Sequence, residues 1–348
     1  MTTRRHSHSV PAAPGAPARE PAPAAGELAR FLAGHRRLLL LTHERPDGDA
    51  FGSLIGLTLA LAEGGVSATA FLTQPVPARY GFLPFPSDLI CVGSLPAGST
   101  FDAALVVDCS NRARVDCPRS LPWDTVSRLP LGNVDHHADN ERYGTLNLVE
   151  PGMAATAQLL AESLQAAGSR IPAAAASWLL VGVIMDTGAF QFSSTTAATL
   201  NAAAVLVRCG ADYTRIMDGL FFQEPLGRRR LAARLIEHAR FAHAGRVLYS
   251  VLDSAWFAEL GVAPDDTEGL IDSLRTIAGV EIACLIQPET DAIRLSLRAR
   301  SPAFPVDGLA HELGGGGHPL AAGARLQAVS VAEAVRILLE KTGKIVAS

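Results

Sequence analysis

The stretch of sequence that decides the fold is Leu38-Leu39-Leu40-Leu41-Thr42-His43-Glu44-Arg45-Pro46-Asp47-Gly48-Asp49-Ala50. Its leucines form a short apolar run, which is typical of a β-strand that is buried on both faces. A helical pattern follows from about residue 50 to residue 63 and ends at two glycines. A strand that leads through polar residues into a helix is the repeating element of a parallel sheet with helices on its faces.

The same arrangement recurs further along the chain. We predict strands at residues 66–72, 103–107 and 131–134, and the last two are followed directly by Asp108 and Asp135. Such sheets bind ligands outside the carboxyl ends of their strands, so we expect His43, Asp108 and Asp135 to share one edge. Asp186 ends an alanine-rich apolar segment whose length favours a helix.

The acidic and imidazole side chains at these ends indicate a metal centre. A carboxylate beside an apolar run is costly to bury unless a cation pairs with it. Histidine and carboxylate ligands without cysteine favour Mn²⁺ or Mg²⁺ over structural zinc. Several carboxylates can hold two cations about 3.5–4 Å apart, which is the arrangement used for in-line attack at phosphorus.

These motifs also have a simpler structural interpretation. Asp47 and Asp49 alone would indicate a turn followed by a helix that Asp49 caps. In the metal interpretation, Gly48 instead permits a bend that lets both aspartates reach metal ions. A histidine four residues before Asp47 and the later triplet Asp-His-His at residues 135–137 favour the metal site, because adjacent histidines beside an acid after an apolar strand are uncommon by chance.

Composition bounds the partners and the compartment. The 348 residues suffice for two domains, and the net charge of −4 gives no overall field that would attract long duplex nucleic acid. No apolar stretch reaches the ~20 residues of a membrane helix, and the five cysteines form no Cys-x-x-Cys pair. We therefore expect reduced thiols in a cytoplasmic protein with no membrane partner. Residues 1–26 are rich in proline and alanine and lack the apolar segment of a signal peptide, which predicts a disordered tail.

The second part of the chain has a different character. After a predicted linker at residues 211–226, we expect a helix at 228–239, a strand at 246–252, a hairpin around residues 288–291 and a closing helix at 331–341. The fold class is therefore α/β. An N-terminal doubly wound, mainly parallel sheet in residues 27–210 is joined by the linker to a smaller α+β domain in residues 227–348.

This smaller domain has two motifs of its own. Four glycines at residues 314–317 precede His318, and they indicate either a flexible loop or a backbone cradle for a phosphate. Arg294, Arg298 and Arg300 occupy even positions of one predicted strand and so share a face, which is either solvated or anion-binding.

In their order and combination, these motifs resemble those of the DHH phosphoesterase family. The resemblance rests on residues 43–49, 135–137 and 186–188, on Asp108, and on residues 314–318, which resemble the glycine-rich signature of the DHH-associated C-terminal domain. It spans about residues 27–343. The chain is similar in size to the enzymes of one branch of this family, the oligoribonucleases that also dephosphorylate 3′-phosphoadenosine 5′-phosphate (pAp).

The resemblance implies a two-metal phosphodiesterase that degrades very short oligonucleotides and dephosphorylates pAp. Relatives in this branch also cleave linear or cyclic dinucleotides, so a phosphodiesterase for cyclic di-AMP is the first alternative. A nucleotide-binding regulator without catalysis is a weaker one, because all expected ligands are present. The expected partners are short oligoribonucleotides, pAp or dinucleotides, and whether the chain forms a homodimer stays open.

The resemblance also implies roles for individual residues. One of two Mn²⁺ ions, or Mg²⁺ in their place, would be held by His43, Asp47 and Asp108, and the second by Asp49, Asp108, His136 and Asp186. Asp135 would orient a histidine, and His137 would lie near the scissile phosphate. The metals would activate water for attack on phosphorus. The second domain would contact the rest of the substrate through Arg298, Arg300, Gly315, Gly316, Gly317 and His318.

Overall fold

The computed structural model of the chain describes residues 23–263, 267 and 269–347. Contacts divide the protein into two compact units, and the boundary along the chain lies between Tyr213 and Thr214. Most of the tail predicted for residues 1–26 lies outside the described residues. Its last four residues, however, already belong to the first helix, α1 (Pro23–Ala33), which was not predicted.

The first unit is built on a six-stranded parallel sheet. Its strands are β1 (Arg37–Leu41), β2 (Ser67–Leu72), β3 (Ile90–Val92), β4 (Ala103–Val107), β5 (Leu131–Asp135) and β6 (Leu146–Val149). They lie in the order β3-β2-β1-β4-β5-β6, and every neighbouring pair is parallel. The predicted doubly wound sheet is confirmed, and the prediction lacked only the short strands β3 and β6.

Among the described residues of this unit, five further α-helices are α2 (Gly48–Glu63), α3 (Trp123–Val126), α4 (Thr156–Ala166), α5 (Ala173–Asp186) and α6 (Ala197–Arg208). Helix α2 begins two residues before its predicted start. Oδ1 of Asp47 accepts hydrogen bonds from the N–H groups of Asp49 and Ala50, each at 3.1 Å. The residue that caps this helix is therefore Asp47 and not Asp49.

Helices α2 and α5 approach each other closely because glycines line their contact. A Cβ on Gly52 would lie 2.5 Å from the carbonyl oxygen of Trp178 and 2.7 Å from the nitrogen of Gly182. A Cβ on Gly48 would overlap the side chain of Met185, and the φ of Gly48 lies outside the left-handed region. Position 48 therefore requires glycine because a side chain would not fit there, and not because of the bend that was predicted. The close packing brings the start of α2 against the end of α5.

The second unit contains a mixed six-stranded sheet. Its strands are β7 (Arg240–Ala242), β8 (Val247–Val251), β9 (Ile282–Pro288), β10 (Ala292–Ala299), β11 (Gly316–His318) and β12 (Ala321–Gln327). They lie in the order β11-β12-β10-β9-β8-β7, in which β8 and β9 are parallel and the other pairs antiparallel. The predicted hairpin is confirmed as β9 and β10.

The helices of this part of the chain are α7 (Tyr213–Met217), α8 (Leu226–Glu237), α9 (Ala255–Leu260), α10 (Asp272–Arg275), α11 (Asp307–Glu312) and α12 (Val331–Ala347). A π-helical turn, Asp218–Phe222, continues α7, so the segment predicted as a linker is helical over most of its length. One sheet face packs against α11 and α12, and over β8 and β9 the other face packs against α8, α9 and α10. No helix in the described part of the chain is both long and apolar enough to span a membrane.

Candidate metal centre

His43 and Asp108 lie where the strand order of the first sheet reverses. His43 follows β1 and Asp108 follows β4, and these two strands are neighbours. His43 Nε2 lies 3.9 Å from Asp108 Oδ2, and both side chains are buried. Open α/β sheets bind ligands at such a reversal, outside the carboxyl ends of the strands. The structure thus brings together two residues that the sequence placed on one edge.

Asp47 forms a first group of ligand atoms with these two residues. The three side chains offer atoms that lie within 4.8 Å of one another. His43 Nδ1 lies 2.8 Å from the carbonyl oxygen of Glu44 and donates its hydrogen there, which leaves the lone pair of Nε2 for a cation. The helix cap uses Oδ1 of Asp47, and the carboxylate has a second oxygen for a cation.

Asp49, Asp108 and His136 form a second group, again with ligand atoms within 4.8 Å of one another. His136 Nε2 lies 3.8 Å from Asp49 Oδ2, 3.8 Å from Asp108 Oδ1 and 3.1 Å from Asp186 Oδ2. Its Nδ1 lies 3.2 Å from the carbonyl oxygen of Met153, which turns Nε2 toward the carboxylates. Asp108 belongs to both groups. The structure therefore brings all six predicted metal ligands together.

The N-terminal turn of α4 supports two of these carboxylates. Thr156 and Ala157 donate their backbone N–H groups to Asp49 at 2.6 and 3.0 Å, and Ser53 donates its hydroxyl at 3.2 Å. Thr156 Oγ1 also donates to Asp108 Oδ1 at 2.9 Å. A helix N-terminus favours negative charge, so this turn suits the carboxylates. Thr156 was not predicted from the sequence, because threonine at a helix start is common without any metal site.

Asp135 is buried and orients a histidine beside the ligands. It accepts hydrogen bonds from the N–H of His136 at 2.8 Å, from Nδ1 of His137 at 2.7 Å and from Nδ2 of Asn140 at 2.5 Å. His137 Nδ1 therefore carries a hydrogen, and its Nε2 faces away from Asp135. His137 Nδ1 also lies 3.8 Å from Asp108 Oδ1. Asp135 is thus placed to fix the orientation of the His137 ring.

The buried carboxylates hold more negative charge than the neighbouring side chains compensate. Burial, and then the Asp186 carboxylate, raise the pKa of Asp49 to about 7. Burial and the Asp49 carboxylate also raise the pKa of Asp108. Burial alone would lower the pKa of His136, but Asp186, Asp49 and Asp108 together raise it well above its ordinary value. A divalent cation would compensate this charge, and carboxylate with imidazole donors suits Mn²⁺ and Mg²⁺, so the residues fit the metals.

In the second unit, the end of the glycine-rich segment is an edge strand and not a flexible loop. Strand β11 pairs with β12 from Gly316 to His318. A Cβ on Gly315 would overlap the backbone of Gly323, and a Cβ on Gly317 would lie 2.5 Å from the carbonyl oxygen of Ala321. Gly315 and Gly317 are therefore required because β11 lies close against β12, a steric reason that holds without any phosphate.

Arg298 and His318 lie on the same face of the second sheet. Both stand directly opposite Ala321, which pairs with each of them across the β12–β10 and β12–β11 ladders. Residues directly opposite each other share a face. Arg298 is half-buried, donates from Nη1 to the carbonyl oxygen of Leu297 at 3.0 Å, and has its Nε 3.8 Å from Asp272 Oδ1.

Arg300 does not lie on the strand where it was predicted. Strand β10 ends at Ala299, so Arg294 and Arg298 are the strand residues of the predicted arginine set. The backbone N–H of Arg300 donates to the carbonyl oxygen of Glu281 at 2.8 Å, just beyond the strand end.

Known proteins match both parts of the chain. Residues 37–183 match the DHH family, N-terminal domain, and residues 244–346 match the DHHA1 domain. The chain is 31% identical over 304 residues to the bifunctional oligoribonuclease and PAP phosphatase NrnA of Thermus thermophilus, a match that covers 87% of this chain and 88% of that protein. It is 28% identical over 319 residues to the Bacillus subtilis protein of the same name, with 90% of this chain and 96% of that protein covered.

Two more distant matches differ in what they cover. The cyclic-di-AMP phosphodiesterase GdpP of Geobacillus thermodenitrificans is 26% identical over 328 residues, which is 90% of this chain but 48% of that protein. The solved structure of an exopolyphosphatase-related protein from Bacteroides fragilis has a TM-score of 0.83 at 22% identity, covers 93% of this chain and 98% of its own, and shows the shared fold. With both domains matched and near full-length relatives, the chain belongs to the DHH family of phosphoesterases, in the branch that contains the bifunctional oligoribonuclease and PAP phosphatases.

Proposed function

We propose that this chain degrades very short oligonucleotides and dephosphorylates pAp with two divalent cations. The observation that carries the proposal is the position of Asp108, whose carboxylate belongs to both groups of ligand atoms. A shared carboxylate allows two cations to lie close enough to act on one phosphate. Near full-length likeness to two oligoribonuclease and PAP phosphatase proteins supports the choice of substrates.

We assign Mn²⁺ to both positions. His43, Asp47 and Asp108 hold the first ion, and the second is held by Asp49, Asp108, His136 and Asp186. Imidazole together with carboxylate suits Mn²⁺ better than Mg²⁺, which prefers oxygen ligands and retains water. When bound, the two cations would activate water and stabilise the charge that develops on the phosphate.

His137 is proposed to bind a phosphate oxygen. The hydrogen bond from its Nδ1 to Asp135 fixes the ring and directs Nε2 away from that carboxylate. Burial alone would lower the pKa of His137, but the hydrogen bond and charge of Asp135 raise it above its ordinary value. When protonated, the ring would donate a hydrogen bond from Nε2 to that phosphate oxygen.

The second unit is proposed to bind parts of the substrate away from the scissile bond. The shared sheet face of Arg298 and His318 supports this role, because a guanidinium group binds phosphate oxygens through two parallel hydrogen bonds. Arg300 and the backbone of Gly316 are assigned to the same function. For Gly315 and Gly317 the steric contacts support a different role, which is to allow β11 to lie against β12.

Charge and thiol content support short substrates and a cytoplasmic location. A net charge of −4 does not supply the long positive track on which polymeric nucleic acid binds. All five cysteines are free thiols, in keeping with a reducing compartment. Hydrolysis of cyclic di-AMP ranks second, because the likeness to GdpP covers less than half of that protein.

Parallel rate measurements test this function. The purified protein is incubated with Mn²⁺ and, separately, with a dinucleotide, pAp, cyclic di-AMP and a single-stranded RNA of roughly 24 nucleotides. We expect rapid hydrolysis of the dinucleotide and pAp and much slower hydrolysis of the long RNA. Equal rates on the dinucleotide and the long RNA at matched ends would contradict the short-substrate proposal. Turnover of cyclic di-AMP alone would establish the alternative.

A further inference from the structure

Asp108 has a backbone conformation that residues other than glycine adopt rarely. Its φ is 56°, in the left-handed region, although its side chain is buried and belongs to both groups of ligand atoms. Such conformations persist only where the surrounding structure holds them, and they cluster at functional sites. The contacts on either side of Asp108 therefore control where its carboxylate points.

Three side chains hold the carbonyl group of the next residue. The carbonyl oxygen of Cys109 accepts a hydrogen bond from the Tyr143 hydroxyl at 2.7 Å. It also accepts hydrogen bonds from Nδ2 of Asn133 and Nδ2 of Asn140, each at 3.3 Å. Asn133 donates in addition to the hydroxyl oxygen of Tyr143 at 3.1 Å. We call Asn133, Asn140 and Tyr143 the carbonyl clamp.

The carbonyl clamp restricts Asp108 because the other side of this residue is also tied. The N–H of Asp108 donates to the carbonyl oxygen of Val134 in β5 at 2.9 Å. Both ends of the dipeptide Asp108-Cys109 are thus held by β5 and the segment that follows it. A carbonyl oxygen has two lone pairs, so three donors share them, and loss of one donor loosens the group without releasing it.

Asn140 links the carbonyl clamp to the orienting pair of Asp135 and His137. Its Nδ2 donates to Asp135 Oδ2 at 2.5 Å as well as to the carbonyl oxygen of Cys109. Asp135 in turn accepts the hydrogen bond from Nδ1 of His137. Asn140 therefore supports both Asp108 and His137. The Tyr143 hydroxyl supports Asp108 through its hydrogen bond to the carbonyl oxygen of Cys109.

We propose that Asn140 and Tyr143 are positioning residues for metal binding, which keep Asp108 in the conformation where one carboxylate serves two cations. The proposal rests on the proposed function in assuming that cations bind at Asp108. The ring of Tyr143 packs edge-on against Trp123 with centroids 5.7 Å apart, so Tyr143→Phe removes the hydroxyl and keeps this packing.

Calorimetric titration of the metal-free protein with Mn²⁺ tests the proposal. Tyr143→Phe should weaken Mn²⁺ binding about tenfold, the lower end of the range for residues that support metal ligands, and should recover wild-type kcat once Mn²⁺ saturates. Asn140→Ala should weaken binding at least as much and keep a reduced kcat at saturating Mn²⁺, because His137 also loses support. Tyr249→Phe, a change in β8 of the second unit, is the matched control and should behave as wild type.

Thermal unfolding of the metal-free variants separates positioning from general stabilisation. If Tyr143→Phe and Asn140→Ala lower Tm but leave the Mn²⁺ affinity as in wild type, their role is structural and the proposal is overturned. Full recovery of kcat by Asn140→Ala at saturating Mn²⁺ would refute the link to His137. Because Mn²⁺ affinity is measured without substrate, the comparison holds even if no nucleotide is hydrolysed, so this proposal and the proposed function fail by different results.

Discussion

The hydroxyl group of Thr156 donates a hydrogen bond to Oδ1 of Asp108 across 2.9 Å, although 48 positions separate the two residues in the sequence. Both side chains are buried, so water does not replace this bond if it is lost. The hydroxyl therefore helps to set the direction of the carboxylate that two cations are proposed to share.

Thr156→Val should weaken Mn²⁺ binding about tenfold, because it removes the hydroxyl while nearly preserving the shape of the side chain. The backbone N–H of residue 156, which donates to Asp49, stays in place. Thr156→Ser retains a hydroxyl and is the control, with an affinity close to wild type. Calorimetry on the metal-free proteins measures both, and identical affinities for Thr156→Val and wild type would show that the hydroxyl has no part in metal binding.

Asp108→Ala should abolish turnover, since the ligand common to both groups is removed. The loss should be far greater than the 10–100-fold typical of residues that only support metal ligands. Asp88→Ala changes an exposed aspartate of the same unit and should leave activity unchanged. Activity of Asp108→Ala near the wild-type level at saturating Mn²⁺ would mean that the two-metal assignment is wrong.

Arg298→Ala should raise KM for a dinucleotide more than it lowers kcat, because contacts made equally in ground and transition states affect binding alone. The increase corresponds at most to the roughly 2–5 kcal/mol of a lost charged contact. Hydrolysis of bis-p-nitrophenyl phosphate, which lacks the nucleoside parts of the substrate, should change little. Arg294→Ala, an exposed arginine on the same strand face, is the control. Equal damage to the ester and the dinucleotide would place Arg298 in the catalytic or folding apparatus.

The metal-free protein should become less stable as the pH rises above 6.5. The pKa of Asp49 is about 7 in the folded protein against 3.8 ordinarily, so the folded state holds more protons than the unfolded chain between these values. The raised pKa values of His136 and His137 act in the same direction above 6.5, where stability is lost as the pH passes through each folded value. The lowered pKa of His43 acts in the opposite direction, but only below 6.5.

Thermal unfolding from pH 6.5 to about 8.5 measures this effect. We expect Tm of the metal-free protein to fall across this range and the stabilisation by added Mn²⁺ to grow, because metal binding requires the deprotonated ligands. Asp49→Asn removes one of the titrating groups and should flatten the dependence near pH 7. A rising Tm for the metal-free wild type over the same range would contradict the prediction.

Gly52→Ala should lower the free energy of unfolding by about 1–3 kcal/mol, the usual cost of overpacking. The added Cβ would lie 2.5 Å from a backbone oxygen of α5, so that helix must shift together with Asp186 at its end, and Mn²⁺ binding should weaken as well. Gly64→Ala is the control, because its Cβ would lie 3.5 Å from the nearest atom at a negative φ. Denaturant unfolding compares the two, and equal stabilities would show that α2 and α5 tolerate a wider separation.

The parallel strands of the first sheet and the composition of the candidate site could be predicted from local sequence pattern, whereas the strand order is known only from the structure. Short apolar runs predicted β1, β4 and β5, and parallel strands end at the same edge of a sheet. His43, Asp108 and Asp135 were therefore expected on one edge, and the structure places Asp108 in one group of ligand atoms with His43 and in another with Asp135. The glycine-rich segment was harder to interpret, because glycine permits both a loop and the close strand pairing that β11 adopts.

The sequence by itself determined which chemical groups lie at the strand ends, because the apolar runs that form the strands can be recognised in it and each run stops at a polar residue. Only the tertiary structure decided how those groups are held. The N–H of Thr156 reaches Asp49 across 107 positions of sequence, and Asn140 reaches the carbonyl oxygen of Cys109 across 31. Hydrogen bonds require donors and acceptors about 3 Å apart, and no sequence pattern records which distant backbone groups folding brings within that distance.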